Sequence, residues 1–152
     1  MDMGELARSV LGSFLGTIGF AMLVRVPRRA WLPSGGIAAL VYLVYCLLPR
    51  IGLSEYSAVF FATLFGSILG HLVARRMKII NTVYLMSAIV PVVPGLGLYR
   101  MMAFFGQKEM SLGSSEGLHA MIVIAMMALG LVMSSFLDRL IHKKTEPHDM
   151  EK

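Results

Sequence analysis

Long apolar stretches separated by short clusters of charged residues restrict the folds open to this chain more than any other feature. Five stretches approach the roughly 20 residues that a helix needs to cross a bilayer. We predict spans over residues 6–24, 35–48, 57–74, 79–105 and 117–137. Charged residues make up 15% of the sequence, against about 25% in soluble domains. Because Leu, Met and Ala prevail over alternating polar positions, helices are favoured over strands. We therefore predict an all-α polytopic membrane helix bundle in residues 1–140 and a polar cytoplasmic tail in residues 141–152.

The basic residues gather on one predicted side of the membrane. Clusters of Lys and Arg follow the first, third and fifth spans, whereas acids outnumber bases in the opposite loops. The positive-inside rule therefore predicts an external N-terminus and a cytoplasmic C-terminus in the cell membrane. The same rule accounts for the net charge of +5 without a nucleic-acid partner. The first apolar stretch follows Asp2 and Glu5 rather than a basic segment, so we expect it to be retained as a span.

The fourth predicted span is too long for one straight helix and contains its own interruption. Residues 79–105 would form a helix about 40 Å long, against roughly 30 Å of hydrocarbon. Pro91, Pro94, Gly95 and Gly97 lie near its middle and should kink or break it near the bilayer midplane. Transporters use such broken helices as substrate sites, because the freed backbone groups then face a cavity. A proline kink that shapes only the helix packing is the other interpretation.

Arg100 follows the break and still precedes five apolar residues of the same span. A charge at the centre of a span costs about 2.5–3.5 kcal/mol, so such residues usually face a cavity or a partner. The guanidinium would then suit a carboxylate, which it can bind with two parallel hydrogen bonds. Alternatively, Arg100 extends to the outer interface beside Tyr99. Tyr99, Tyr84 and Ser87 are further candidates for polar contacts with the substrate.

Features that would indicate an enzyme are lacking in the sequence. No nucleotide-binding motif and no nucleophile beside a base can be found. The predicted spans contain no acidic residue, so a carboxylate relay for ions is not expected within this chain. The four histidines lie far apart and are interpreted as interfacial residues, and Cys46 is the single cysteine. We expect neither a metal nor a cofactor.

Three segments in a fixed order resemble a known transporter family. Residues 20–29 end in a Val-Pro-Arg-Arg loop, residues 74–78 read Ala-Arg-Arg-Met-Lys, and residues 91–100 have the pattern PxxPGxGxYR. Together with five spans in about 150 residues, this order is similar to the small subunit of two-component threonine/serine exporters. The same unit also forms the C-terminal half of single-chain members of that family.

The resemblance implies a secondary exporter of threonine or serine, or of a dicarboxylate such as succinate. It also implies a larger partner subunit with five spans of its own and a soluble N-terminal domain. In such a pair Arg100 would bind the substrate carboxylate, and the segment from Pro91 to Gly97 would form part of the site. The alternative is that this chain is a structural subunit, which stabilises a partner that carries the whole transport pathway. A homo-oligomer of this chain is also a possible assembly.

Overall fold

The fold is seen in a computed structural model, which describes residues 3–78 and 81–143. This part of the chain forms six α-helices connected by short loops and 3-10 turns, and it contains no β-strand. The helices are α1 (Met3–Leu23), α2 (Trp31–Leu47), α3 (Glu55–Met77), α4 (Asn81–Ile89), α5 (Gly95–Gly106) and α6 (Met110–Lys143). Of the predicted tail, residues 141–143 belong to the end of α6, and residues 144–152 lie outside the described residues.

Helices α1, α2, α3 and α6 are each long and apolar enough to cross a membrane. Helices α4 and α5 are individually too short, but together they pass the same test as one bent span. The predicted all-α bundle with about five membrane-spanning segments is therefore confirmed. Helices α3 and α6 are longer than the predicted spans 57–74 and 117–137, because the helical backbone continues through charged residues at their ends. As a result α3 includes Glu55, and α6 includes Glu116 and Asp138.

The helices pack through small residues, as expected in lipid, where close backbone contact stabilises association. Helix α3 is the centre of the bundle and contacts α2, α4 and α6, while α1 packs on α2 and α5 on α6. The residues of α3 that become buried are mostly small: Ala58, Ala62, Thr63, Gly66, Ser67, Gly70 and Ala74. Many large apolar side chains lie on the outside instead, including Leu23 on α1 and Met102 on α5. This inverted arrangement suits a bundle surrounded by lipid.

Gly130 shows how closely α3 and α6 approach each other. A Cβ atom at this position would lie 2.9 Å from the carbonyl oxygen of Phe60 and 3.2 Å from the Cβ of Thr63. Near the C-terminal end of α3, Arg75 Nη2 donates to both carboxylate oxygens of Asp138 on α6, at 2.7 and 2.8 Å. The two longest helices therefore form a tightly joined pair.

Gly130→Val is expected to separate α3 from α6 and to destabilise the fold by about 1–3 kcal/mol, the usual cost of overpacking. Gly16→Val on α1 is the matched control, because a Cβ there has no atom within 4 Å. The apparent unfolding temperature of the detergent-solubilised protein measures both effects. Equal stability of the two variants would contradict the close contact at Gly130.

Candidate functional site

The bend between α4 and α5 is the most irregular part of the described chain. Helix α4 ends at Ile89, a 3-10 turn follows over Val90–Val92, and α5 begins at Gly95. The two parts of this span are inclined by 54°. Pro91 and Pro94 have no backbone N–H, so they interrupt the helical ladder at this point. The carbonyl oxygen of Val93 accepts from the Gly95 N–H at 2.7 Å, which closes a tight turn.

A cavity of about 280 Å³ lies at this bend. Four elements contribute to its wall: α2, α3, the bend with the start of α5, and α6. Its polar lining residues are Tyr45, Glu55, Arg100, Glu116 and His119. Its apolar lining residues are Val59, Pro91, Val92, Val93, Pro94, Leu96, Gly97 and Val123. A cavity with few polar groups on a mostly apolar wall is typical of small-molecule sites.

Local sequence places Glu55 at the rim of this cavity. Gly52 has a φ of 92°, a left-handed conformation that glycine adopts without strain, and it reverses the chain between α2 and α3. Ser54 then caps α3, because its hydroxyl accepts a hydrogen bond from the Ser57 N–H. Glu55 therefore occupies the first turn of α3, where the helix dipole favours a negative charge.

Glu55 connects three helices through its two carboxylate oxygens. The hydroxyl of Tyr45 on α2 donates to Glu55 Oε1 at 3.3 Å, and His119 Nε2 on α6 lies 3.5 Å from Oε2. The His119 ring also packs against Tyr56, with ring centroids 5.4 Å apart. These contacts hold α2, α3 and α6 together on one side of the cavity.

Arg100 and Glu116 line the same cavity, and neither forms a salt bridge within residues 3–78 and 81–143. Arg100 is exposed and Glu116 is half-buried. A guanidinium and a carboxylate in one cavity, neither paired with a charge among the described residues, can bind a ligand that carries both signs of charge. Among the described residues no group of three or more His, Cys, Asp or Glu is arranged to hold a metal ion.

The eight residues proposed from the sequence are distributed over three places. Pro91, Pro94, Gly97 and Arg100 line the cavity, and Gly95 begins α5 at its edge. Tyr99 is 68% exposed on the outside of α5.

Tyr84 and Ser87 lie on α4, away from the cavity lining. Tyr84 is fully buried against Gly70, and its hydroxyl donates to the sulfur of Met77 at 3.1 Å. The Ser87 hydroxyl donates to the carbonyl oxygen of Val83 at 3.0 Å, and Ser87 lines a separate apolar groove between α1 and α4. Both hydroxyls are therefore occupied within the protein.

Four polar residues of the cavity were not predicted from the sequence: Tyr45, Glu55, Glu116 and His119. The sequence pattern places Glu55 and Glu116 in loops and indicates an interfacial position for His119. One feature of the sequence could have indicated two of them. Glu116 and His119 are three residues apart, so they share one face of the helix once α6 is extended to Met110. Their approach to Glu55 depends on the pairing of α3 with α6, which the sequence alone does not give.

Comparison with known proteins identifies the family. A family profile described as "Threonine/Serine exporter, ThrE" matches residues 9–137. An uncharacterized protein of Haemophilus influenzae is 30% identical over 100 residues, which are 66% of this chain and 34% of that protein. The matched region therefore spans about a third of that relative. No solved structure matches the chain. Since the profile covers most of the chain and the helices are those of a multi-pass membrane protein, the chain belongs to the threonine/serine exporter family.

Proposed function

We propose that this chain is one subunit of a secondary exporter and that the cavity at the bend between α4 and α5 is part of its substrate site. The observation that carries this proposal is the presence of Arg100, Glu116 and the Glu55–His119 pair around one cavity at a broken span. Broken helices provide substrate sites in many secondary transporters. Arg100 binds the substrate carboxylate through two parallel hydrogen bonds.

The charges of the cavity favour an amino acid over a dicarboxylate. Threonine and serine carry a carboxylate and an ammonium group, which match Arg100 and Glu116 respectively. Succinate would bring two negative charges to a cavity with one arginine and two glutamates, and like charges in proximity are unfavourable. The apolar wall formed by Val59 and Val123 can accept the methyl group of threonine.

A larger membrane subunit completes the pathway in this proposal. The family contains two-component exporters, and a cavity that this small bundle encloses only in part requires another surface to enclose the substrate. Alternating access then moves one subunit against the other around the site. The loop charges favour an external N-terminus for this chain, and a reporter fused there that is detected in the cytoplasm would contradict that orientation.

The test is export of labelled threonine, serine and succinate from cells that express this chain with or without its larger subunit. We expect export of threonine and serine that requires both chains, and little export of succinate. Export by the larger subunit alone would instead support the structural role for this chain. Export by this chain alone would indicate a homo-oligomeric pathway.

A further inference from the structure

Two hydroxyl groups in the centre of α3 are completely buried and unsatisfied. Thr63 and Ser67 have no exposed surface, and their hydroxyl oxygens have no hydrogen-bond partner within the part of the chain that the structure describes. Burying a hydroxyl without a hydrogen bond costs about 1–3 kcal/mol on protein scales. Such groups in native proteins require an explanation, and an internal water molecule is the usual one.

His71 continues the same row by one more turn of α3. It is 8% exposed, and its Nδ1 lies 2.8 Å from the carbonyl oxygen of Ser67. Because a carbonyl oxygen can only accept, Nδ1 carries the hydrogen in this contact, and Nε2 is left to accept a proton. The hydroxyl of Ser134 on α6 lies 3.5 Å from Nδ1. The imidazole is thus held in one tautomer between two helices.

Thr63, Ser67 and His71 lie between two openings of the bundle. They are spaced by four residues, so consecutive side chains are neighbours on the helix surface. One turn before Thr63, Val59 lines the cavity that contains Arg100. Beyond Ser67, His71 lines a separate cleft of about 160 Å³ between α3 and α6. The row from Val59 to His71 covers about 18 Å at 1.5 Å per residue, more than half of the hydrocarbon thickness.

The charged groups around His71 balance one another. Arg75, one turn further along α3, and Asp138 on α6 both line the cleft and form an ion pair of 2.7 Å. Helix α4 contributes Tyr84, whose hydroxyl is bound to Met77. Helix α2 carries no charged residue and places its tyrosines near the opposite end. Asp138 therefore offsets the positive charge of Arg75, so this charge does not oppose a proton on His71.

We propose that His71 is the proton-binding residue of this exporter and that the buried hydroxyls of Thr63 and Ser67 lie on the path of the proton between His71 and the substrate cavity. This inference rests on the proposed function. Imidazole is the side chain best suited to gain and lose a proton near neutral pH. One proton adds to Nε2 from one side of the membrane and leaves to the other side when the substrate has moved. Each hydroxyl on its path takes up one proton and releases another, so the O–H bonds are restored after each cycle.

The test uses proteoliposomes that contain this chain together with its larger subunit. Two readouts are compared: exchange of labelled for unlabelled threonine without a gradient, and threonine accumulation driven by a pH gradient. His71→Gln imitates the neutral imidazole in size and hydrogen bonding. We expect exchange within about twofold of the wild-type rate and a loss of gradient-driven accumulation of about tenfold or more, because proton relays inside membranes depend on their ionisable residues.

Variants of Thr63 and Ser67 test the role of the two buried hydroxyls separately from that of His71. Thr63→Val and Ser67→Ala should each slow gradient-driven accumulation and spare exchange. Ser135→Ala is the matched control, because its hydroxyl is bound to the carbonyl oxygen of Leu131 and lies outside the row. We expect it to retain both activities.

Each other outcome overturns a different claim. Gradient-driven accumulation that persists in His71→Gln would overturn the role of His71. Loss of exchange in the same variant would assign His71 to the substrate path or to the fold, and would also overturn the proposal. Absence of threonine exchange by the wild-type complex would overturn the proposed function itself.

Discussion

Arg100→Ala is expected to reduce threonine export by about tenfold or more, since hydrogen bonds to charged groups contribute about 1.5–3 kcal/mol. Arg100 lines the cavity at the bend and forms no salt bridge within the described residues, so its guanidinium is available to the substrate. Arg100→Lys should restore a minor part of the export, because an ammonium keeps the charge but cannot form two parallel hydrogen bonds. The measurement is export of labelled threonine at matched levels of membrane-inserted protein.

Lys108→Ala is the control for this experiment. Lys108 is exposed just beyond the C-terminal end of α5, and it does not line the cavity that contains Arg100. Its removal deletes one positive charge from the same region, and we expect normal export. Equal and full export by Arg100→Ala and Lys108→Ala would remove Arg100 from the substrate site and favour its extension to the membrane interface.

The second large effect is expected at Glu116. This carboxylate lies on α6 in the same cavity and forms no salt bridge within the described residues, whereas Glu55 is engaged by Tyr45 and His119. Glu116→Gln should therefore weaken binding of the substrate ammonium and raise the apparent KM for threonine by about tenfold or more, because hydrogen bonds to charged groups contribute about 1.5–3 kcal/mol. Inhibition of threonine export by succinate should become stronger in this variant.

Glu109→Gln is the matched control for Glu116→Gln. Glu109 is exposed just before α6 and does not line the cavity. Transport kinetics of both variants should be compared with threonine and succinate as competing substrates. An unchanged KM in Glu116→Gln would contradict the assignment of the ammonium site, and a stronger response to succinate in both variants would point to a general effect of surface charge.

The fold could be predicted from the sequence because lipid imposes a simple pattern on a chain. Apolar stretches of sufficient length gave the five spans and the all-α class, and the Pro91–Gly97 segment gave the broken fourth span. The helix ends were less predictable. Glu55, Glu116 and Asp138 lie within helices that the structure extends beyond the apolar stretches, because acids are tolerated where they line a cavity or pair with a base.

The site could be predicted in part for a related reason. Arg100 and the prolines stand out locally, since a charge and a helix break inside an apolar stretch are both costly. Glu55 and His119 meet only because α3 and α6 pack together, which depends on contacts such as that at Gly130. The orientation of the Tyr84 side chain likewise depends on tertiary packing, because this side chain fills the space left by Gly70.

The most direct test of the central claim asks whether threonine occupies the cavity at the bend. Cys46 is the single cysteine of this sequence, so Cys46→Ser removes its thiol, and the Cys46→Ser complex without a new cysteine is the control for thiols of the larger subunit. Gly97→Cys then places one thiol in the cavity with little steric cost, because a Cβ at Gly97 would lie 3.7 Å from that of Ala120. The rate of its modification by a small thiol reagent is measured in the assembled exporter. We predict that threonine slows this rate and that succinate does so much less. A rate unaffected by threonine in a complex that still exports it would contradict the account.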